Sequence, residues 1–196
     1  MKITKDHDET LLDTGRFTVH KGEFTRWHTN GETNTVDRVW VSPGNAAAVL
    51  PYDAHYFYMA EQPREITGRT TLSLCAGKIE PRERPLDTAK RELSEEMGMQ
   101  AASWYPLGWF YSSEGFTTEE TFIYLAAGAF FDPTATNLYD EEEAVVVRQF
   151  TFDQIGKRIS ECDNAKAMIA LQALALHKLR DLSLNIIPAG GVYNVH

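Results

Sequence analysis

The chain has 196 residues, 43% of them hydrophobic, enough for one domain with an extension and a sizeable core. Its formal net charge of -9 argues against a nucleic-acid partner, since proteins that grip a phosphate backbone carry a basic face. A nucleotide substrate stays open, because a bound metal ion neutralises phosphate locally.

Residues 1–15 read as a polar lead-in without the apolar core of a signal peptide. No later run is long enough to span a membrane, so no membrane partner is expected. Arg16 to Trp27 and Thr35 to Ser42 read as strands, with Asn30-Gly31 marking the turn between them. Pro43-Gly44-Asn45 breaks the chain. Ala46 to Leu50 and His55 to Ala60 are apolar strands around Pro51-Tyr52-Asp53, a hairpin signal. Thr71 to Ala76 is a further strand, which delivers Gly77 to a helix. Pro85 suits the first turn of that helix, and Gly98 is a left-handed stop after Met97. Trp104 to Tyr111 and Glu120 to Ala127 are strands joined by the loop Ser112 to Thr118. Phe131 to Glu143 is a loop rich in Asp and Glu, and Ala144 to Phe150 a short strand. Thr151 and Gln154 have the spacing of a capping box, and Asp163 is placed to cap a helix over Asn164 to Arg180. The expected organisation is an N-terminal β extension over 1–44, a main domain over 45–182 and a tail over 183–196. The tail carries no functional signal. Two cysteines, Cys75 and Cys162, without CxxC spacing point to a reducing cytoplasm, and Cys75 reads as a core residue.

The informative stretch runs from Gly77 to Met99. Leu86, Ala89, Leu93 and Met97 recur at three- and four-residue steps and make one apolar face. Glu92, Glu95 and Glu96 are related by i,i+3 and i,i+4, so Glu92 can sit beside both others, although the like charges repel. Clustered carboxylates suit a hard cation such as Mg²⁺ or Mn²⁺, particularly beside a bound phosphate. Arg91 is placed to pair with a carboxylate and hold its orientation, and Gly77 to allow a bend between strand and loop. A solvated acidic helix face would explain the glutamates, but not Gly77, Glu83, Arg91 and Gly98 at their offsets.

The pattern Gly77-x5-Glu83-x7-Arg91-Glu92-Leu93-x-Glu95-Glu96-x-Gly98-Met99 resembles the signature of the Nudix hydrolases at every set position. The resemblance implies an α/β fold, the Nudix α/β/α sandwich with a mixed sheet, here preceded by the N-terminal β extension. It also implies metal-dependent hydrolysis of the pyrophosphate in a nucleoside diphosphate linked to another group.

Outside this box the chain looks most like the ADP-ribose pyrophosphatase branch. Ala76 matches an alanine whose carbonyl ligates metal alongside Glu92, Glu95 and Glu96. Glu61-Gln62-Pro63-Arg64 resembles the E-Q-x-R of that branch, which makes Arg64 a phosphate contact, and Arg38 matches a second substrate-contacting arginine. Cys162-Asp163-Asn164-Ala165 and Ile169-Ala170-Leu171 resemble its final helix. Asp140-Glu141-Glu142-Glu143 resembles its mobile acidic loop, with Glu141 the first candidate for general base and Glu143 or Glu95 the others. Trp27, between Arg26 and His28, is a candidate to stack on the base.

Two departures concern substrate choice. Glu114 stands where the branch often has a proline associated with ADP-ribose, and Ser73 where many members carry glutamate. The implied reaction converts ADP-ribose, or a related nucleoside diphosphate sugar, into a nucleoside monophosphate and a sugar phosphate. GDP-mannose is the alternative substrate. A non-catalytic sugar-nucleotide sensor is a further alternative, against which the complete box counts. Branch members are commonly homodimers that exchange a small sheet, here Arg16 to Ser42.

Overall fold

Backbone pairing, more than apolar patterning, builds the first part of the chain. The computed structural model describes residues 1–135 and 145–180, which divide into two units: Met1–Asn45 with Phe110–Glu120, and Ala46–Trp109 with the described residues from Thr121 on. In the first unit, β1 (Lys2–Asp13), β2 (Thr18–Trp27) and β3 (Thr33–Ser42) form an antiparallel sheet in that order. The first strand corrects the polar lead-in expected for residues 1–15. Its side chains are nearly all exposed, so it has no buried face to write an alternating pattern. Pairing with β2 makes it a strand, helped by the Thr25 hydroxyl donating to Asp6 at 2.6 Å. Trp40 stacks on His20 with ring centroids 5.2 Å apart and meets Phe24 edge-on. The segment Phe110–Glu120 joins this unit through Val41, whose N–H donates to the Phe116 carbonyl and whose carbonyl accepts from Thr118.

The second unit is built on a mixed sheet. β4 (Ala46–Tyr52) runs parallel to β9 (Glu120–Phe131) and antiparallel to β5 (Tyr56–Arg64) and β7 (Cys75–Lys78). β6 (Arg69–Ser73) and β10 (Val146–Thr151) both pair with β5, and β8 (Met99–Tyr111) lies beside β9. The single strand expected over Thr71 to Ala76 is therefore two. One half pairs with β5 and the other with β4, a choice of neighbour that local sequence does not encode.

The helix α1 (Pro85–Met97) has the bounds that its caps predict. Pro85 opens it, and Gly98 closes it at φ 62°, donating its N–H to the Ser94 carbonyl at 3.0 Å. Leu86, Ala89, Leu93 and Met97 are buried against Ala47, Val49, Cys75 and Tyr124. Burying each large side chain supplies roughly 1.5–3 kcal/mol, whereas like-charge pairs along a helix cost only about 0.2–0.5 kcal/mol each. The apolar face thus holds the glutamates together against their repulsion.

Ala48 and Leu50 alternate to the opposite side of β4, against which α3 (Ala165–Arg180) packs with buried Ala167, Ala170, Leu171 and Leu174. The short α2 (Ile155–Glu161) follows the capping box of Thr151 and Gln154. Asn164, not Asp163, caps α3: its Oδ1 accepts from the Ala167 N–H at 3.2 Å. No helix among the described residues is long and apolar enough to cross a membrane. The acidic loop with Glu141 and Glu143, and the tail 183–196, lie outside the described residues.

Candidate active site

Strand β7 and helix α1 face each other, and three successive strand residues meet two of the helix glutamates. The Ala76 N–H donates to Glu96 Oε2 at 3.1 Å. The thiol of Cys75 is wholly buried, and burial together with the charges of Glu96 and Glu92 pushes its pKa well up. At Gly77 an added Cβ would fall inside the Glu92 carboxylate. This corrects the role expected for Gly77. It sits within β7, without the positive φ of a bend, and its missing side chain is the space that Glu92 fills. Glu92 is itself buried, at 8% exposure, so its charge requires partners.

Arg91 supplies them. Its Nε and Nη2 donate to the two oxygens of Glu83 at 3.0 and 3.1 Å. Nη1 donates to Glu92 Oε1 at 2.6 Å and to Glu95 Oε2 at 2.9 Å, and Nη2 also reaches the Lys78 carbonyl at 3.1 Å. One guanidinium thus ties the loop glutamate, two helix glutamates and the strand end into one network, a task its planar fork suits. Glu83 also accepts from the Glu80 N–H, which closes the turn before α1.

The hydrogen bonds from Arg91 hold the Glu83 carboxyl down to about 2 from its usual 4.5, against an opposing effect of burial. The hydrogen bond to Glu83, with those to the other glutamates, raises the guanidinium. A carboxylate with a depressed folded pKa stabilises the native state above its unfolded pKa and loses that contribution as pH falls through the folded value. Glu83→Gln is therefore expected to cost about 1–2 kcal/mol at neutral pH in metal-free protein, after allowance for solvent screening. The difference from wild type should shrink between pH 4.5 and about 2, the interval over which Glu83 gains its proton. Urea unfolding at stepped pH measures this, and a pH-independent difference would contradict the ion-pair account.

The other sequence candidates fall in several places. Arg64 ends β5, with Nη2 on Gln62 Oε1 at 2.6 Å, while neighbouring Glu61 pairs with Arg148 of β10. Ser73 is buried, and its hydroxyl has no hydrogen-bond partner among the described residues. In the first unit, Arg38, Phe24, Arg26, Trp40 and Glu114 line an open groove of about 440 Å³. Trp27 is 48% exposed, donates to the Thr4 hydroxyl at 3.4 Å, and does not line this groove. The Lys78 carbonyl was missed as a site group. Its contact crosses from strand to helix and leaves no mark in local spacing.

Among the described residues no three His, Cys, Asp or Glu side chains converge as a ready-made cage, and Arg91 donates to two of the helix glutamates. The donor chemistry nevertheless fits a hard divalent cation. Glu92, Glu95 and Glu96 offer carboxylate oxygen on one side of α1, and the Gly77 backbone clears the space for Glu92.

Comparison with known proteins shows the family. The family model described as NUDIX domain matches residues 19–172. An ADP-ribose pyrophosphatase from Bacillus subtilis is 35% identical over 136 residues, covering 68% of this chain and 73% of that protein. One from Escherichia coli K12 is 32% identical over 182 residues, 86% of each chain. A methanol dehydrogenase activator from Bacillus methanolicus is 33% identical over 151 residues, 76% of this chain and 80% of that one. The crystal structure of an ADP compounds hydrolase superposes with a TM-score of 0.73, covering 93% of this chain and 98% of its own. Its identity of 18% makes that a likeness of fold.

Proposed function

Because the chain belongs to the Nudix family of hydrolases, we propose that it cleaves the pyrophosphate bond of ADP-ribose or a closely related nucleoside diphosphate sugar. Mg²⁺ or Mn²⁺ is the proposed cofactor. The products are a nucleoside monophosphate and a sugar phosphate: AMP and ribose 5-phosphate in the case of ADP-ribose. The observation that carries this reading is the carboxylate network between β7 and α1, with Glu96 held from the strand and Glu92 seated over Gly77. The relatives named ADP-ribose pyrophosphatase support the substrate class.

Glu92, Glu95, Glu96 and the Ala76 carbonyl would hold the cation, which when bound neutralises phosphate charge and makes water a better nucleophile. Arg91 keeps Glu92 and Glu95 oriented and brings Glu83 to them. Arg64 binds a phosphate through its guanidinium. A carboxylate takes the proton of the attacking water: Glu141 is the first choice, with Glu143 and Glu95 the alternatives. Arg38 is proposed as a further substrate contact and Trp27 as the residue that stacks on the base.

Glu114 favours a second reading. It stands where the resemblance leads to a proline associated with ADP-ribose, and so leaves GDP-mannose or another nucleoside diphosphate sugar as the alternative substrate. We also propose a homodimer formed through the three-stranded sheet, which exposes Ile3, Leu11, Leu12 and Val39. So small a sheet needs a surface to pack on. Two free cysteines suit a cytoplasmic setting.

Incubation with Mg²⁺ and a panel of nucleoside diphosphate sugars, scored for released phosphomonoester, tests the activity. Release should be greatest with ADP-ribose. No release from any member would reject the enzyme and leave the sensor reading. A monomer mass of 22.1 kDa in sedimentation of the same sample would reject the dimer.

A further inference from the structure

Strand β5 presents its residues alternately to the two sides of its sheet. Tyr58 belongs to the buried cluster under α1, so Ala60, Gln62 and Arg64 share that side. Arg64 is exposed at the end of the strand, whereas Gln62 is buried at 4% exposure and its backbone is paired with Thr71 of β6. The Gln62 amide oxygen accepts from Arg64 Nη2 at 2.6 Å, and it is the only side-chain partner of that guanidinium among the described residues. Glu61 alternates to the other side, where Arg148 Nε donates to its carboxylate at 2.7 Å. Arg64 is thus held by a neutral group, and its charge has no carboxylate partner among the described residues.

On the reading that Arg64 binds a substrate phosphate, we propose that Gln62 is a positioning residue, a buried neutral acceptor that directs the Arg64 guanidinium without neutralising it. An exposed arginine explores many rotamers, and immobilising one such side chain on binding costs about two- to twelvefold in affinity. An acceptor anchored in the sheet removes part of that cost before substrate arrives. A carboxylate at position 62 would direct Arg64 as well. It would also pair with the charge that a phosphate is to meet, and would set a negative charge beside an anionic substrate. The amide oxygen supplies direction alone. One N–H is spent on it, and the others stay available to phosphate oxygen.

The test is calorimetric binding, in Mg²⁺, of the methylene analogue of ADP-ribose, in which CH₂ replaces the bridging oxygen of the pyrophosphate. KM and kcat for ADP-ribose are measured alongside. Gln62→Met keeps the volume and removes the acceptor. It should weaken binding and raise KM about fivefold, with kcat within about twofold of wild type. Gln62→Glu should weaken binding further, because it pairs with Arg64 and repels phosphate. In an Arg64→Ala background, Gln62→Met should add nothing, since a residue that acts only through Arg64 loses its effect with it. Wild-type affinity in Gln62→Met or in Gln62→Glu, or an equal loss from Gln62→Met in both backgrounds, overturns the positioning role. Should Gln62→Met fail to fold, Gln62→Leu carries the same expectation. Arg64→Ala alone reports on the underlying reading. Unchanged binding there, or no binding by wild type, refutes the phosphate contact itself, whereas weakened binding there with Gln62→Met intact refutes Gln62 alone.

Discussion

Glu96→Gln is expected to leave the fold in place and to lower pyrophosphate turnover on the order of a thousandfold. The amide has nearly the shape of the carboxylate, and its carbonyl oxygen can still accept from the Ala76 N–H, now 3.1 Å from Glu96 Oε2. What is lost is a full negative charge facing a divalent cation. Stabilisation of transition-state charge by such an ion is worth several kcal/mol, and each 1.36 kcal/mol is about tenfold in rate. The melting temperature of the metal-free protein should stay close to that of wild type, because the amide keeps the shape of the side chain and its acceptor for the Ala76 N–H. Circular dichroism melting and phosphomonoester release at saturating Mg²⁺ read the two quantities separately. Wild-type turnover in this variant would remove Glu96 from the site.

Gly77→Ala should be nearly as damaging with one methyl group. The new Cβ would occupy the volume of the Glu92 carboxylate. The strand cannot retreat, since Gly77 is paired with Ala47 inside the sheet. Glu92 must swing out, which breaks its 2.6 Å bond from Arg91 and moves a charge that is now buried. Overpacking of this kind costs about 1–3 kcal/mol, and a displaced ligand should reduce turnover by at least about a hundredfold. Urea unfolding together with turnover measures both. A variant with full turnover would show that the present position of Glu92 is not needed for the reaction.

These expectations differ in how far they could be read from the chain alone. Charge loss at Glu96 follows from residue type and spacing, because carboxylates three and four residues apart on a helix must share a side. The Gly77 result could not be foreseen. Glycine before a helix reads as a bend, and only the seated Glu92 carboxylate shows that the constraint is volume. Arg91 was legible as a partner for some carboxylate. That it joins Glu83, Glu92, Glu95 and the Lys78 carbonyl depends on the path of the loop between β7 and α1.

The sequence by itself determined the helix α1, both of its ends, the apolar face that buries it and the set of acidic groups it carries. All of these follow from interactions between residues a few positions apart, where periodicity and caps suffice. The tertiary structure decided the rest. It made a strand of Lys2–Asp13, divided the segment before Gly77 between two neighbours, and set the Ala76 N–H against Glu96. Each of those depends on which distant backbone or side chain arrives alongside, and partners brought together by chain closure leave no periodic trace in the residues they join.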